Sequence, residues 1–326
     1  MKLGFYSKWP KGVSGTNGWN FIGDELYAES MCHALLKTES VDSVDVYAPN
    51  YLPKEKLDVM IYLNDTPPQS NLAKKHMAYM QNAYGDGSDK SLEKFHKENY
   101  DGYAFISNRL LSIHQEAGFQ GLFLPFGVNM DLFYPREKDN RYFFDVAYIG
   151  NDIKGEFRTN KYLLPAAQFG FGLFGNWMNP RRSLKQRLQF WKRYPPVPDY
   201  RKIFYKISRG KIPQDDVPIL YSSAKINLNC TAQDCVDWDV ITLRTFEVLA
   251  CQGFLITDKV PTAEKTMQDC MVFTDGDTDL SQKIEYYRDH DKEREKIAKK
   301  GYEFTIQHAS LDSRMRELLS YINEIL

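Results

Sequence analysis

Short apolar runs recur along the chain, with longer helical patterns between them. In the first half they fall at residues 3–6, 44–48, 59–63, 103–107 and 122–126. In the second half they fall at 146–150, 171–174, 225–228, 254–257 and 271–274. Short runs rich in Val, Ile, Phe and Tyr predict strands buried on both faces. Tyr27, Met31, Ala34 and Leu35 follow at i, i+4, i+7 and i+8, one face of a helix. Leu311, Met315, Leu318, Leu319 and Ile322 give a final helix over 311–326 its apolar face. Strand–helix alternation predicts an α/β chain with mostly parallel sheets covered by helices on both sides. The alternation occurs twice. Between the two series, within 129–141, Pro135 is followed by charged residues and Asn140, which reads as a linker. The chain therefore divides into a Rossmann-like domain over 1–135, a second over 141–310, and the final helix 311–326.

Composition adds bounds. The 326 residues suffice for two domains, and 43% apolar residues suffice for two cores. Aromatics, at 14%, are generous and are read mostly as core. A formal net charge of -1 means the whole molecule exerts no strong field on a partner. Cys32, Cys230, Cys235, Cys251 and Cys270 form no CxxC pair and have few histidines near them, which argues against a zinc site. An odd number of thiols fits a reducing compartment. The opening Leu3-Gly4-Phe5-Tyr6 is strand-like, so no signal peptide is expected. No window approaches the roughly 18 apolar residues that a membrane-spanning helix needs. The expectation is a soluble, cytoplasmic protein.

The stretch from Asp239 to Asp258 carries the most chemistry. Phe246, Leu249 and Ala250 face inward from a predicted helix that Gly253 ends. Asp239 lies just before that helix and Glu247 two turns into it. The first-turn amides, near Thr242, Leu243 and Arg244, lack intrahelical partners, and with the helix dipole they suit a diphosphate. A nearby carboxylate can accept two hydrogen bonds from ribose hydroxyls. The same spacing also fits a capped surface helix with incidental charges. In the first half, the Gly-rich loop 11–18 can bring the amides of Gly15, Thr16 and Asn17 close to a phosphate or sugar, and it also fits a plain loop. It is neither GxGxxG nor Walker A. Asp24, Asp65 and Asp86 are the acidic candidates on this side, although such residues commonly serve as caps and turns. His33 is placed on a solvated helix face.

The spacing from Asp239 to Glu247 resembles the acid-x7-acid motif of retaining glycosyltransferases with the GT-B fold. The wider pattern resembles the CgeB/YkvP-like family of spore-protein glycosyltransferases. Four stretches carry the likeness: 145–151 with Arg158, Phe174-Gly175-Asn176-Trp177, 211–229, and 244–258. Gly23-Asp24-Glu25-Leu26 and Pro125-Phe126-Gly127-Val128-Asn129 are weaker echoes. The likeness covers most of the second half and is patchy in the first.

It implies two Rossmann-like domains facing a central cleft, with the final helix crossing back to the first domain and the loop 15–17 on the cleft. It implies that Glu247 binds the donor ribose and that Asp239 faces the transferred sugar. Asn151, Arg158 and the helix start at Thr242, Leu243 and Arg244 would hold the diphosphate, and Gly210 and Lys211 would offer backbone groups to the base. Asp239 and Asp24 are the candidate catalytic residues. Two departures stand out: Asp239 where Glu is usual, and Gln252 where Gly is commoner. The expected reaction moves a sugar from a nucleoside-diphosphate sugar to an acceptor (a glycan, a protein or modified DNA). The likeness implies retention, and the lack of an assured base leaves the stereochemistry open. Asp237-Trp238-Asp239 also reads as DxD, a motif that binds Mg²⁺ or Mn²⁺ through oxygen in the GT-A fold. The two strand–helix series favour GT-B, so no metal and no resident cofactor is expected.

Residues 181–211 hold eleven Lys or Arg and one acid, Asp199, with Phe190, Trp191, Tyr194, Tyr200, Phe204 and Tyr205 interleaved. Such a stretch can hold a phosphate backbone and stack bases, with Arg187, Lys192 and Arg193 as contacts and hydroxymethylated phage-type DNA as acceptor. It also fits a solvated helix beside a Pro195-Pro196 turn. An epimerase or phosphorylase of the same architecture, and a non-catalytic nucleotide-sugar-binding, nucleic-acid-binding or structural protein, remain open from the sequence.

Overall fold

The computed structural model describes residues 1–12, 22–64, 66–81, 96–181, 192 and 196–326. Along the chain run β1 (Lys2–Tyr6), α1 (Ile22–Leu36), β2 (Ser43–Tyr47), β3 (Leu57–Leu63), β4 (Ala73–Met80), β5 (Gly102–Phe105), α2 (Asn108–Glu116) and β6 (Leu122–Phe123). There follow β7 (Val146–Ile149), α3 (Glu156–Tyr162), β8 (Phe171–Phe174), α4 (Asp199–Ile207), α5 (Val217–Ser223), β9 (Ile226–Asn229), α6 (Gln233–Asp237) and α7 (Leu243–Ala250). The last are β10 (Leu255–Asp258), α8 (Pro261–Thr266), β11 (Val272–Thr274), α9 (Asp277–Arg288), α10 (Asp291–His308) and α11 (Leu311–Ile325). Two compact units result. Unit 1 is Met1–Asn129 with Asp237–Val240 and His308–Leu326, and unit 2 is Met130–Val236 with Ile241–Gln307.

Unit 1 is built on a six-stranded sheet in the order β2-β1-β3-β4-β5-β6, every pair parallel. The interior strand β4 has no counterpart among the predicted runs. It opens on Lys74, Lys75 and His76, which mask it as polar, but Lys74 pairs with Asp58 (2.7 Å) and Lys75 with Asp101 (3.2 Å) at the rim of the sheet. Its second half, from Met77 to Met80, is fully buried. Along α11 every predicted apolar position is buried, and the helix packs on α1, with Lys37 paired to Asp312 at 3.3 Å. The amide of Leu311 donates to the carbonyl of Val128 at 2.9 Å.

Unit 2 holds a five-stranded parallel sheet in the order β11-β10-β9-β7-β8. Val146, Tyr148, Leu173, Leu228 and Ile256 form its core with Phe204 and Trp177. Strand order reverses between β7 and β9, so the chain leaves these two strands in opposite directions. Sheets of this kind bind ligands at the carboxyl ends of the strands flanking such a reversal.

One expectation about local structure is corrected. Gly253 does not itself end α7. The helix stops at Ala250, Cys251 is its C-cap, and Gln252 occupies the left-handed position at φ 52°. The amide of Gly253 then donates to the carbonyl of Val248 at 3.0 Å. Gly253 is needed for closeness, because a Cβ there would lie 2.7 Å from the carbonyl oxygen of Tyr221.

A tighter crossing lies at the other end of the sheet. Gly175 has φ 120°, and a Cβ on it would stand 2.1 Å from the carbonyl oxygen of Gly150. Gly210 has φ 75° with open space around it. Gly175→Ala should therefore destabilise unit 2 by more than about 3 kcal/mol in denaturant titration, and Gly210→Ala by only about 1 kcal/mol.

Candidate functional site

The carboxyl ends of β9 and β10 are tied to each other and to α3 by one buried network. Asp258, 1% exposed at the end of β10, accepts from the amide and hydroxyl of Thr231, each at 3.0 Å, and from the hydroxyl of Thr257 at 3.2 Å. Arg158, on α3, ion-pairs with Asp258 through Nη2. Its Nε donates to the carbonyl of Thr231 at 2.6 Å and its Nη1 to Gln233 Oε1 at 2.8 Å. Every nitrogen of this buried guanidinium already donates within the protein. Arg158 therefore acts as a brace beneath the strand ends, and a bound anion would have to compete with Asp258 for it.

Asn229, the last residue of β9, is a second hub. Its buried amide reaches the hydroxyls of Thr231, Thr242 and Thr257 at 3.2–3.4 Å. Its Oδ1 accepts from Arg244 Nη1 at 3.1 Å. Arg244 also lies over the ring of Tyr148, 5.4 Å from its centroid. Thr242 is the N-cap of α7, with extended backbone (φ -72°, ψ 150°), and its side chain makes no capping bond. The first-turn amides of α7 are thus left uncapped beside a held guanidinium, an arrangement that attracts anions.

Glu247 sits one turn further along α7, half-buried. Among the described residues none donates a hydrogen bond to its carboxyl. Burial pushes its pKa up to about 7, and the charge of Arg244 pulls it back only in part. A desolvated carboxyl without a donor is expensive unless a ligand supplies one.

Lys154 completes the cluster, and the sequence reading passed over it. It lies in the turn between β7 and α3, half-buried and without a carboxylate partner among the described residues. Burial and the neighbouring charge of Arg244 push its ammonium below the ordinary value. The only sequence signal was its place in a strand-to-helix turn, three residues after Asn151.

The other predicted residues fall around this centre or elsewhere. Asn151 uses its side chain locally, accepting from the amide of Asn176 at 2.9 Å. Gly210 is exposed, and its carbonyl accepts from the amide of Gly175 at 2.8 Å, while Lys211 is exposed beside it. Asp239 has φ 56°, in the left-handed region that Asp tolerates better than most residues. It belongs to the segment Asp237–Val240, which packs with unit 1. There the carbonyl of Trp238 accepts from Ser107 Oγ at 2.6 Å, and Arg109 lies over the Trp238 ring. Asp24 lies in the first turn of α1 and its side chain is outside the described residues, as are Gly15, Thr16, Asn17, Asp65 and Asp86. Of the basic stretch, Arg187 and Arg193 are also outside them, and Lys192 is exposed. Tyr200 and Phe204 are core residues on α4 rather than stacking surfaces, and Arg201 is held by Asp152 at 2.7 Å. Among the described residues no three His, Cys, Asp or Glu side chains converge as a metal site.

Comparison with known proteins gives this geometry a family. The glycosyl transferase-like family model matches residues 158–320, half of the chain, and the chain belongs to that family. No curated protein matches the sequence. Among solved structures, sucrose-phosphate synthase from Thermosynechococcus elongatus is similar at a TM-score of 0.68 and 14% identity, covering 100% of this chain and 99% of that one. The Anabaena protein HepE, solved with UDP and glucose, is similar at 0.66 and 11%, covering 99% and 100%. BGT of T4 phage, solved with its UDP-glucose substrate, is similar at 0.60 and 14%, covering 99% of each chain. At these identities the likeness establishes the fold, which is GT-B. No helix among the described residues is long and apolar enough to cross a membrane.

The two cations should part company under mutation. Arg158→Ala leaves Asp258 buried and unpaired and should destabilise the protein by about 3–5 kcal/mol, whereas Lys154→Met, removing an unpartnered cation, should leave the melting temperature unchanged or raise it. Glu247 should be visible in the pH dependence of stability. Its folded pKa of about 7 lies above the ordinary glutamate value of 4.5, so its contribution is fully present below pH ~4.5 and is lost as pH rises towards 7. Glu247→Gln should flatten the melting-temperature profile across that window, and a profile identical to wild type would contradict the assigned burial.

Proposed function

We propose that the protein transfers a sugar from a nucleoside-diphosphate sugar to an acceptor, with the nucleotide held in unit 2. The observation that carries this reading is Glu247, a half-buried carboxyl lacking a donor, one turn from the uncapped start of α7. Ribose hydroxyls donate to Glu247. The diphosphate meets the amides of Leu243 and Arg244, the Arg244 guanidinium and Lys154. Backbone groups of Gly210 and Lys211 serve the base, and Asp239 faces the transferred sugar. Charge that builds on the departing diphosphate is met by these cations and by the helix start, which are held in place before reaction. Transfer then needs no metal. Two similar structures hold UDP or UDP-glucose, which makes uridine nucleotides the first donors to try. Assignment to the CgeB/YkvP-like branch, retention of configuration and a cytoplasmic location belong to the same proposal.

The test is thermal shift and calorimetry against UDP-, GDP-, ADP- and TDP-sugars, with wild type beside Glu247→Ala and Lys154→Met. A ligand present at 100 times its Kd stabilises the folded state by about 2.7 kcal/mol. One nucleotide should stabilise the wild type selectively, and both variants should lose most of that gain. A chelator should leave turnover intact. Equal stabilisation of all three proteins would contradict the site, and activity lost in chelator and restored by Mn²⁺ would contradict the metal-free mechanism.

A further inference from the structure

A second concavity in unit 2, of about 750 Å³, lies at the opposite end of the same sheet from the nucleotide site. Its floor is made by the segments that lead into β9 and β10, including Ser222, Lys225 and Gly253, whereas the nucleotide site lies where those strands end. One wall is α10, which presents Lys292, Lys296 and Lys299 at i, i+4 and i+7. At 1.5 Å per residue this row spans about 10 Å. The segment after β6 supplies Arg136 and Lys138 to the lining. With Arg294 the lining carries seven cations against two acids, Asp291 and Glu295.

Most of that charge is not neutralised internally. Arg294 is held by Asp291 (2.5 Å), Lys225 by Asp145 (2.9 Å), and Lys299 only loosely by Glu303 (3.9 Å). Lys138, Lys292 and Lys296 are exposed and have no carboxylate partner among the described residues. The Nε of Arg136 is buried without a hydrogen-bond partner. Phe143, 55% exposed, adds a ring face to the same groove.

We propose that this groove binds the phosphate backbone of a single-stranded nucleic acid, without sequence preference. A compact phosphate ligand needs donors that converge on one point. Here the cations are strung along a helix and faced by others, which suits a charge repeated along a chain. An exposed ring beside a basic groove is the usual platform for a base in such complexes. The inference rests on the charge and shape of the groove and not on the nucleotide site, so either can fail without the other.

The test is fluorescence polarisation of a labelled oligothymidine over a salt series, using the full chain. The variant is Lys138→Glu/Lys292→Glu/Lys296→Glu. The control is Lys54→Glu/Lys97→Glu/Lys265→Glu, which changes net charge equally on exposed lysines outside the groove and outside the stretch 181–211. The groove variant should weaken binding more than about tenfold at low salt and lower the log–log salt slope by about 2, with the control close to wild type. Unchanged melting temperatures and unchanged nucleotide-sugar shifts would show that both variants are folded. Equal weakening by the two variants, unaffected binding in the groove variant, tighter binding of duplex than of single strand, or equal displacement by heparin of matched charge would each overturn the proposal.

Discussion

Arg158 and Asp258 come from α3 and β10, a hundred residues apart, and meet in the buried interior of unit 2. Burying either charge alone costs several kcal/mol, so each is tolerable only because the other is there. Through Asp258 the pair grips Thr231, and through Arg158 it grips the carbonyl of Thr231 and the side chain of Gln233. The end of β9 is thereby fixed against the end of β10. Asn229, two residues before Thr231, inherits that position and passes it to Arg244 and Thr242. The start of α7 is placed by this chain of contacts rather than by a cap of its own.

The chemistry follows from what the brace leaves unsatisfied. A helix start without a side-chain cap, a lysine without a carboxylate and a carboxyl without a donor each raise the energy of the empty site. On the function proposed above, one ligand with a diphosphate and vicinal hydroxyls would answer all three. The site would then be organised before binding, with the electrostatic cost met by folding and recovered by the ligand.

Much of the architecture could be read from periodicity, because strands buried on both faces announce themselves as apolar runs. β4 escaped because it opens on Lys74, Lys75 and His76, with Asp58 and Asp101 receiving the two lysines and the Tyr62 hydroxyl meeting the histidine. The start of α7 was legible, since it depends on local spacing, and Glu247 lies one turn along the helix rather than the two expected. Lys154 was not legible, because a loop lysine looks solvated until strand ends close around it. The distinction between Arg158, braced on Asp258, and Arg244, held by Asn229 over the Tyr148 ring, could not be read either. It depends on Asp258 and Asn229, partners that sequence distance conceals. Tyr200 and Phe204 carried a misleading signal: on α4 they fall on the face turned to the core, so their spacing among basic residues reflects packing.

The central claim is that a diphosphate rests between Lys154, Arg244 and the first amides of α7. The most direct measurement is a crystal structure of the protein with UDP. The account predicts the diphosphate within hydrogen-bonding distance of the Leu243 or Arg244 amide and of Lys154, the ribose hydroxyls on Glu247, and the Arg158–Asp258 pair intact. A nucleotide bound away from α7, or one that breaks Arg158 from Asp258 to reach its phosphates, would contradict it.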